Sequence, residues 1–140
     1  MISAASDDIL FKECIASLNP NVTILSKKES DNLWKIFKRR LPIVFWGRIN
    51  WDKIDKILII NSPTEIIPIL EQLSQKSLDL SIYILWNDAS VPVIKTDLYS
   101  AIAFIDDITC VGPDTWFLNL EDGYIVEFFH EGEIVVGYHI

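Results

Sequence analysis

The last 27 residues constrain the fold most, because they read as three strands joined by two tight turns. Asp114 to Leu120 carries strand-forming residues, Asp122-Gly123 is a hairpin turn, and Tyr124 to His130 alternates as a second strand. Glu131-Gly132 turns the chain again into Ile134 to Ile140. Such a meander is antiparallel by construction, since turns this short cannot make a parallel crossover.

Upstream the signals are mainly helical. Ser6-Asp7-Asp8 opens a helix whose Leu10, Cys14 and Leu18 share one face up to Asn19-Pro20. Ser26 and Glu29 have capping-box spacing, and the helix they open sets Leu33, Trp34, Ile36, Phe37 and Arg40 around an apolar stripe before Pro42 stops it. Lys38-Arg39-Arg40 then complements the helix dipole. Ile43 to Trp51 is an aromatic-rich strand or loop holding Trp46 and Trp51, and Lys56 to Ile60 reads as a short buried strand. Ser62-Pro63-Thr64-Glu65 starts a further helix with Ile66, Ile67, Ile69, Leu70 and Leu73 on its core face. Ser81 to Trp86 is continuously apolar, hence a strand covered on both sides, and Val91 to Ile94 is extended. Thr96 caps a last helix with Leu98, Ala101, Ile102 and Ile105 inward. The expected fold is α+β: N-terminal helices, a mixed sheet with interleaved helices, and a C-terminal three-stranded antiparallel meander, all in one domain spanning residues 1–140.

Charge is distributed unevenly. Residues 1–56 hold ten basic and seven acidic side chains, whereas 57–140 hold two and thirteen, giving the net charge of −8. Nothing basic follows Lys95, while Asp97, Asp106, Asp107, Asp114, Glu121, Asp122, Glu127, Glu131 and Glu133 do. An acidic chain lacks the phosphate-neutralising charge that nucleic-acid binding needs, so no nucleic-acid partner is expected. No apolar run reaches membrane-spanning length, and the N-terminus lacks the basic start and apolar core of a signal peptide. Cys14 and Cys110 match no metal spacing and suit two buried free thiols in a reducing compartment, so the expected location is the cytoplasm.

The chemistry-bearing motifs are sparse. There is no nucleophile elbow, no phosphate-cradling glycine loop, and no Cys–His pair of known spacing. The paired carboxylates Asp106-Asp107 and Glu131/Glu133 sit at element ends, where solvation is the ordinary fate. His130 and His139, with Glu127 or Glu131, form the one arrangement that bears on a metal, and it lacks the spacing of a zinc helix. The reading is therefore a non-enzyme without cofactor or metal. Strand alternation sets Glu127 between Ile125 and Phe129. Either this is a mixed solvent face, or it is a binding face on which Glu127 receives a partner's cation.

Ser81-Ile82-Tyr83-Ile84-Leu85-Trp86-Asn87-Asp88 and Pro92 to Leu98, with Asp106-Asp107, Asp114-Thr115-Trp116-Phe117 and Tyr124 to Glu133, resemble small bacterial immunity proteins of contact-dependent growth inhibition and other polymorphic toxin systems. The likeness spans residues 81–137. It implies a cytosolic inhibitor of a cognate toxin, often a nuclease, and such toxins are basic because they bind phosphate. The expected toxin-binding residues are Asp106, Asp107, Asp114, Glu121, Asp122, Glu127, Glu131 and Glu133, with Trp116 and Phe129 as anchors. An acidic interaction or adaptor domain without a toxin partner, and a small metal-dependent enzyme, are the competing readings. Oligomeric state is open.

Overall fold

The computed structural model describes residues 2–43, 49–54, 56–74, 77–138 and 140, the side chains of 2–8 and 56 apart. In chain order the elements are α1 (Ile2–Leu18), β1 (Thr23–Ile24), α2 (Lys27–Arg40), β2 (Lys56–Ile60), α3 (Ile66–Leu73), β3 (Ser81–Trp86), β4 (Ile94–Asp97), α4 (Leu98–Ala103), α5 (Ile105–Thr109), β5 (Thr115–Asn119), β6 (Tyr124–Phe128) and β7 (Ile134–Tyr138). The strands form one seven-stranded sheet in the order β1-β4-β3-β5-β6-β7-β2. Every pairing is antiparallel, so the expectation of a mixed sheet is corrected while the α+β class and the meander stand.

Both faces of the sheet are covered. Ile82, Ile84, Trp86, Phe117, Val126 and Val136 point to one face and pack against Cys14 and Leu18 of α1, Ile66 and Leu70 of α3, Leu98 of α4 and Ile108 of α5. The opposite face presents Leu85, Trp116, Leu118 and Ile125 to Leu33 and Phe37 of α2, with Leu41, Ile49 and Trp51. Two-sided burial explains why β5, β6 and β7 are buried at every position rather than at alternate ones.

Local chemistry sets the element ends. Ser26 Oγ accepts from Glu29 N–H while Glu29 accepts from Ser26 N–H, closing the expected capping box. Ser62 and Glu65 do the same, but the turn from Pro63 to Glu65 is 3₁₀, and α3 begins only at Ile66. Asp97, not Thr96, caps α4, accepting from Ser100 N–H at 2.9 Å. Thr96 belongs to β4 and bonds the Asn21 carbonyl. Gly123 and Gly132 take positive φ (76° and 98°) at the two meander turns, a conformation side-chain-bearing residues rarely adopt. α1 starts at Ile2, ahead of the expected Ser6. The strand at Lys56–Ile60 exists, but it is a sheet edge with Ile57, Leu58 and Ile59 exposed, not a buried strand.

Candidate functional site

A cleft of about 440 Å³ opens at the end of the sheet where β5 begins and β6 ends. Asp106, at the first turn of α5, and Glu133, after the Glu131-Gly132 turn, both line it, and among the described residues no Lys or Arg does. Phe129 and His130 supply the aromatic surface, with ring centroids 4.2 Å apart. Pro113, Ile105 and Ile134 make the apolar remainder.

Asp114 organises this end from beneath. It is 5% exposed, and its Oδ1 accepts from His130 N–H and faces His130 Nδ1, each at 2.9 Å. Asn87 Nδ2 donates to its other oxygen at 3.3 Å, and Asn87 N–H donates to the Asp114 carbonyl. One buried carboxylate thus joins the β3 exit, the β5 start and the β6 exit, and fixes the backbone that carries Phe129 and His130. Asp114 acts through His130 and does not itself face the cleft.

The expected contact residues divide by place. Asp106, Phe129 and Glu133 meet at the cleft, and exposed Glu131 lies on the adjoining turn. Asp107 is exposed, but its Oδ2 accepts from Ser17 Oγ at 2.7 Å and so ties α5 to α1. Glu121 lines a separate hollow of about 190 Å³ at the opposite end of the sheet. Asp122, beside it, accepts from Asp79 N–H while its own N–H bonds Asn119 Oδ1, each at 2.6 Å, so it shapes the first meander turn.

Trp116 and Glu127 are interior, at 1% and 0% exposure. Glu127 Oε2 accepts from Trp116 Nε1 at 3.0 Å and Ile49 N–H at 3.2 Å, and Oε1 accepts from Trp51 Nε1 at 3.0 Å. Trp34, Phe37 and Trp116 pack edge-on and tilted over this face, with ring centroids 5.1–6.0 Å apart. The reading of Ile125, Glu127 and Phe129 as one open binding face is therefore corrected. α2 and the 49–54 segment cover the first two, and indole and amide groups of this chain donate to the Glu127 carboxylate.

Of the residues in the metal alternative, two are engaged elsewhere. Glu127 is enclosed on the α2 side, His130 is held by Asp114, and His139 and Trp46 lie outside the described residues. Among the described residues, no three His, Cys, Asp or Glu converge on a metal-sized position. No helix is long and apolar enough to cross a membrane among them. Both cysteines are free, but only Cys14 is buried, because Cys110 falls on the exposed side of the α5 exit. Burial, then the nearby Asp107 charge, raises the Cys14 thiol from 9.0 to about 12.

Two features were hidden from sequence reasoning. Asp114 reads as one more surface carboxylate until β3, β5 and β6 are paired. Gly137 looks like a weak strand residue, yet a Cβ there would come within 2.7 Å of the Trp51 ring, so glycine makes room for the indole that bonds Glu127. Only the Asp114 to Glu133 spacing, with a turn glycine between two carboxylates, hinted at the cleft.

Comparison with curated proteins gives no match. The family model described as CdiI immunity protein EcoliA0-like matches residues 8–137, nearly the whole chain and both helical layers, and the protein belongs to that family.

Proposed function

We propose that the protein neutralises a basic, nuclease-type toxin domain by docking that domain's cationic surface on the acidic cleft between Asp106 and Glu133. Membership of the CdiI immunity family makes a cognate toxin of a contact-dependent growth inhibition system the partner. The observation that carries the finer reading is the cleft itself, which is lined by Asp106 and Glu133 together with Phe129 and His130, and by no Lys or Arg among the described residues. A nuclease presents Lys and Arg to a phosphate backbone, so an acidic concave surface attracts it and occludes the side that meets nucleic acid. The role asks no catalysis of the inhibitor, and its place of action is the cytoplasm of the protected cell.

Charge reversal at Asp106, Glu131 and Glu133, with association measured across a salt series, tests the site. The expected result is a fall in association rate of roughly tenfold or more at low salt that shrinks as salt screens the charges. Glu121→Lys, at the far end of the sheet, is expected to change the rate far less. Equal rates for wild type and the triple reversal at low salt would move the toxin elsewhere.

A further inference from the structure

His130 lines the cleft, and its imidazole is half exposed. Nδ1 of the ring lies 2.9 Å from Asp114 Oδ1. Both oxygens of Asp114 also accept from groups that can only donate, the His130 N–H at Oδ1 and Asn87 Nδ2 at Oδ2. A carboxyl that accepts at both oxygens is placed to act as the carboxylate, which has no proton to give the ring. The neutral imidazole therefore carries its proton on Nδ1, and Nε2 keeps its lone pair. Nε2 has no partner among the described residues. The charged groups near the ring are of one sign. Asp114 stands at the start of β5, Asp106 comes from α5, Glu133 follows the second meander turn, and exposed Glu131 lies on that turn.

We infer that His130 is a specificity-determining residue for the toxin, whose Nε2 accepts a hydrogen bond from a Lys or Arg side chain of the docked domain. Asp114 is the positioning residue, because its carboxylate holds the ring proton on Nδ1. The inference rests on the docking proposed above and adds to it a contact that does not depend on carboxylate charge. A carboxylate attracts any cation and does so at range. A ring lone pair accepts only from an N–H at hydrogen-bond distance, so it selects one geometry. Protonation inverts the contact. The imidazolium donates at both nitrogens and bears a positive charge, so it repels the cation from which the neutral ring accepts. Binding thus expels a proton, and affinity falls as pH drops through the range in which an imidazole becomes charged, about pH 8 to about pH 5.

Titration of the cognate toxin domain into wild type, His130→Gln and His130→Ala across that range, at constant ionic strength, tests the contact. Gln keeps an acceptor oxygen on a side chain of similar reach but does not titrate. Wild-type affinity is expected to fall roughly tenfold or more between about pH 8 and about pH 5.5. His130→Gln is expected to bind within a few-fold of wild type at the alkaline end and to show a flatter profile, while His130→Ala binds weakly throughout. Proton–nitrogen correlation spectra of the imidazole in the free protein give a readout that needs no toxin, and the neutral ring is expected to be protonated at Nδ1. A neutral ring protonated at Nε2 overturns the inference, as does a wild-type pH profile that His130→Gln reproduces. If charge reversal at Asp106, Glu131 and Glu133 slows association while His130→Ala binds as wild type does, the cleft stands as the docking site and this inference alone fails. If neither change alters binding, both fail.

Discussion

Glu127 shows how one residue's role depends on what covers it. Its carboxylate is fully enclosed and accepts from two indoles and a backbone amide, so it acts as an acceptor hub binding α2's layer to the sheet. Removing it strands buried donors, each of which costs about 1–3 kcal/mol when left unsatisfied. Glu127→Ala is expected to lower unfolding free energy by roughly 2–4 kcal/mol in denaturant titrations, with Glu127→Gln milder because it keeps one acceptor. A loss within experimental error for Glu127→Ala would mean that these donors find other partners. Gly137→Val is expected to destabilise through the same cluster, since it forces the Trp51 ring away from Glu127. The cysteines separate by the same logic of cover. An aromatic disulfide reagent should modify Cys110 in the native protein and Cys14 only on unfolding, because burial holds Cys14 as a thiol up to about pH 12. Two equally fast modifications would contradict that packing.

At the scale of elements, the second meander turn joins fold and site. Gly132 holds φ at 98° with open space around it, so the demand is conformational and not steric. Its N–H donates to the Phe129 carbonyl at 2.8 Å, which sets the approach of Glu133 to the cleft. Gly132→Ala is expected to cost about 1–2 kcal/mol of stability and to weaken toxin binding, read by calorimetry of the complex. Unchanged affinity in the folded variant would separate the turn from the docking surface. The meander's turns, the two capping boxes and the α2 stripe were all legible, because each depends on contacts within a few residues. The α4 cap was misplaced by one residue because Thr96 and Asp97 offer the same acceptor chemistry. The Asn21 carbonyl, remote in sequence, takes the threonine hydroxyl.

Across the whole molecule, buried proton-bearing groups set the alkaline limit. The Tyr124 hydroxyl donates to the Asp79 carbonyl at 2.7 Å. Burial, with the charges of Asp79 and Asp122, raises its ionisation above the ordinary 10.0. Cys14 is raised from 9.0. The folded state keeps both protons where the unfolded chain releases them, so stability is full below pH 9 and falls progressively above it. Denaturation midpoints should decline on the alkaline side of that value, and Cys14→Ala with Tyr124→Phe should flatten the decline. A flat alkaline limb in the wild type would count against both groups. The resemblance legible in residues 81–137 proved to be part of a family match extending back to residue 8, across helices that individually carried no recognisable motif.

The sequence by itself determined the α+β class, the meander, both ends of α2 and the acidic bias of the second half, because periodicity, turn chemistry and charge are local or additive. Only the tertiary structure decided which carboxylates face solvent. Asp106 and Glu133 meet at a cleft, Asp114 is drawn beneath His130, and Glu127 is enclosed by α2 and Trp51. Strand alternation names two faces but cannot say what covers each one. That depends on contacts between residues 76–78 positions apart, such as Glu127 with Trp51 and Ile49. The same reason hid the β2 edge, since an apolar strand reads alike whether it has one neighbour or two.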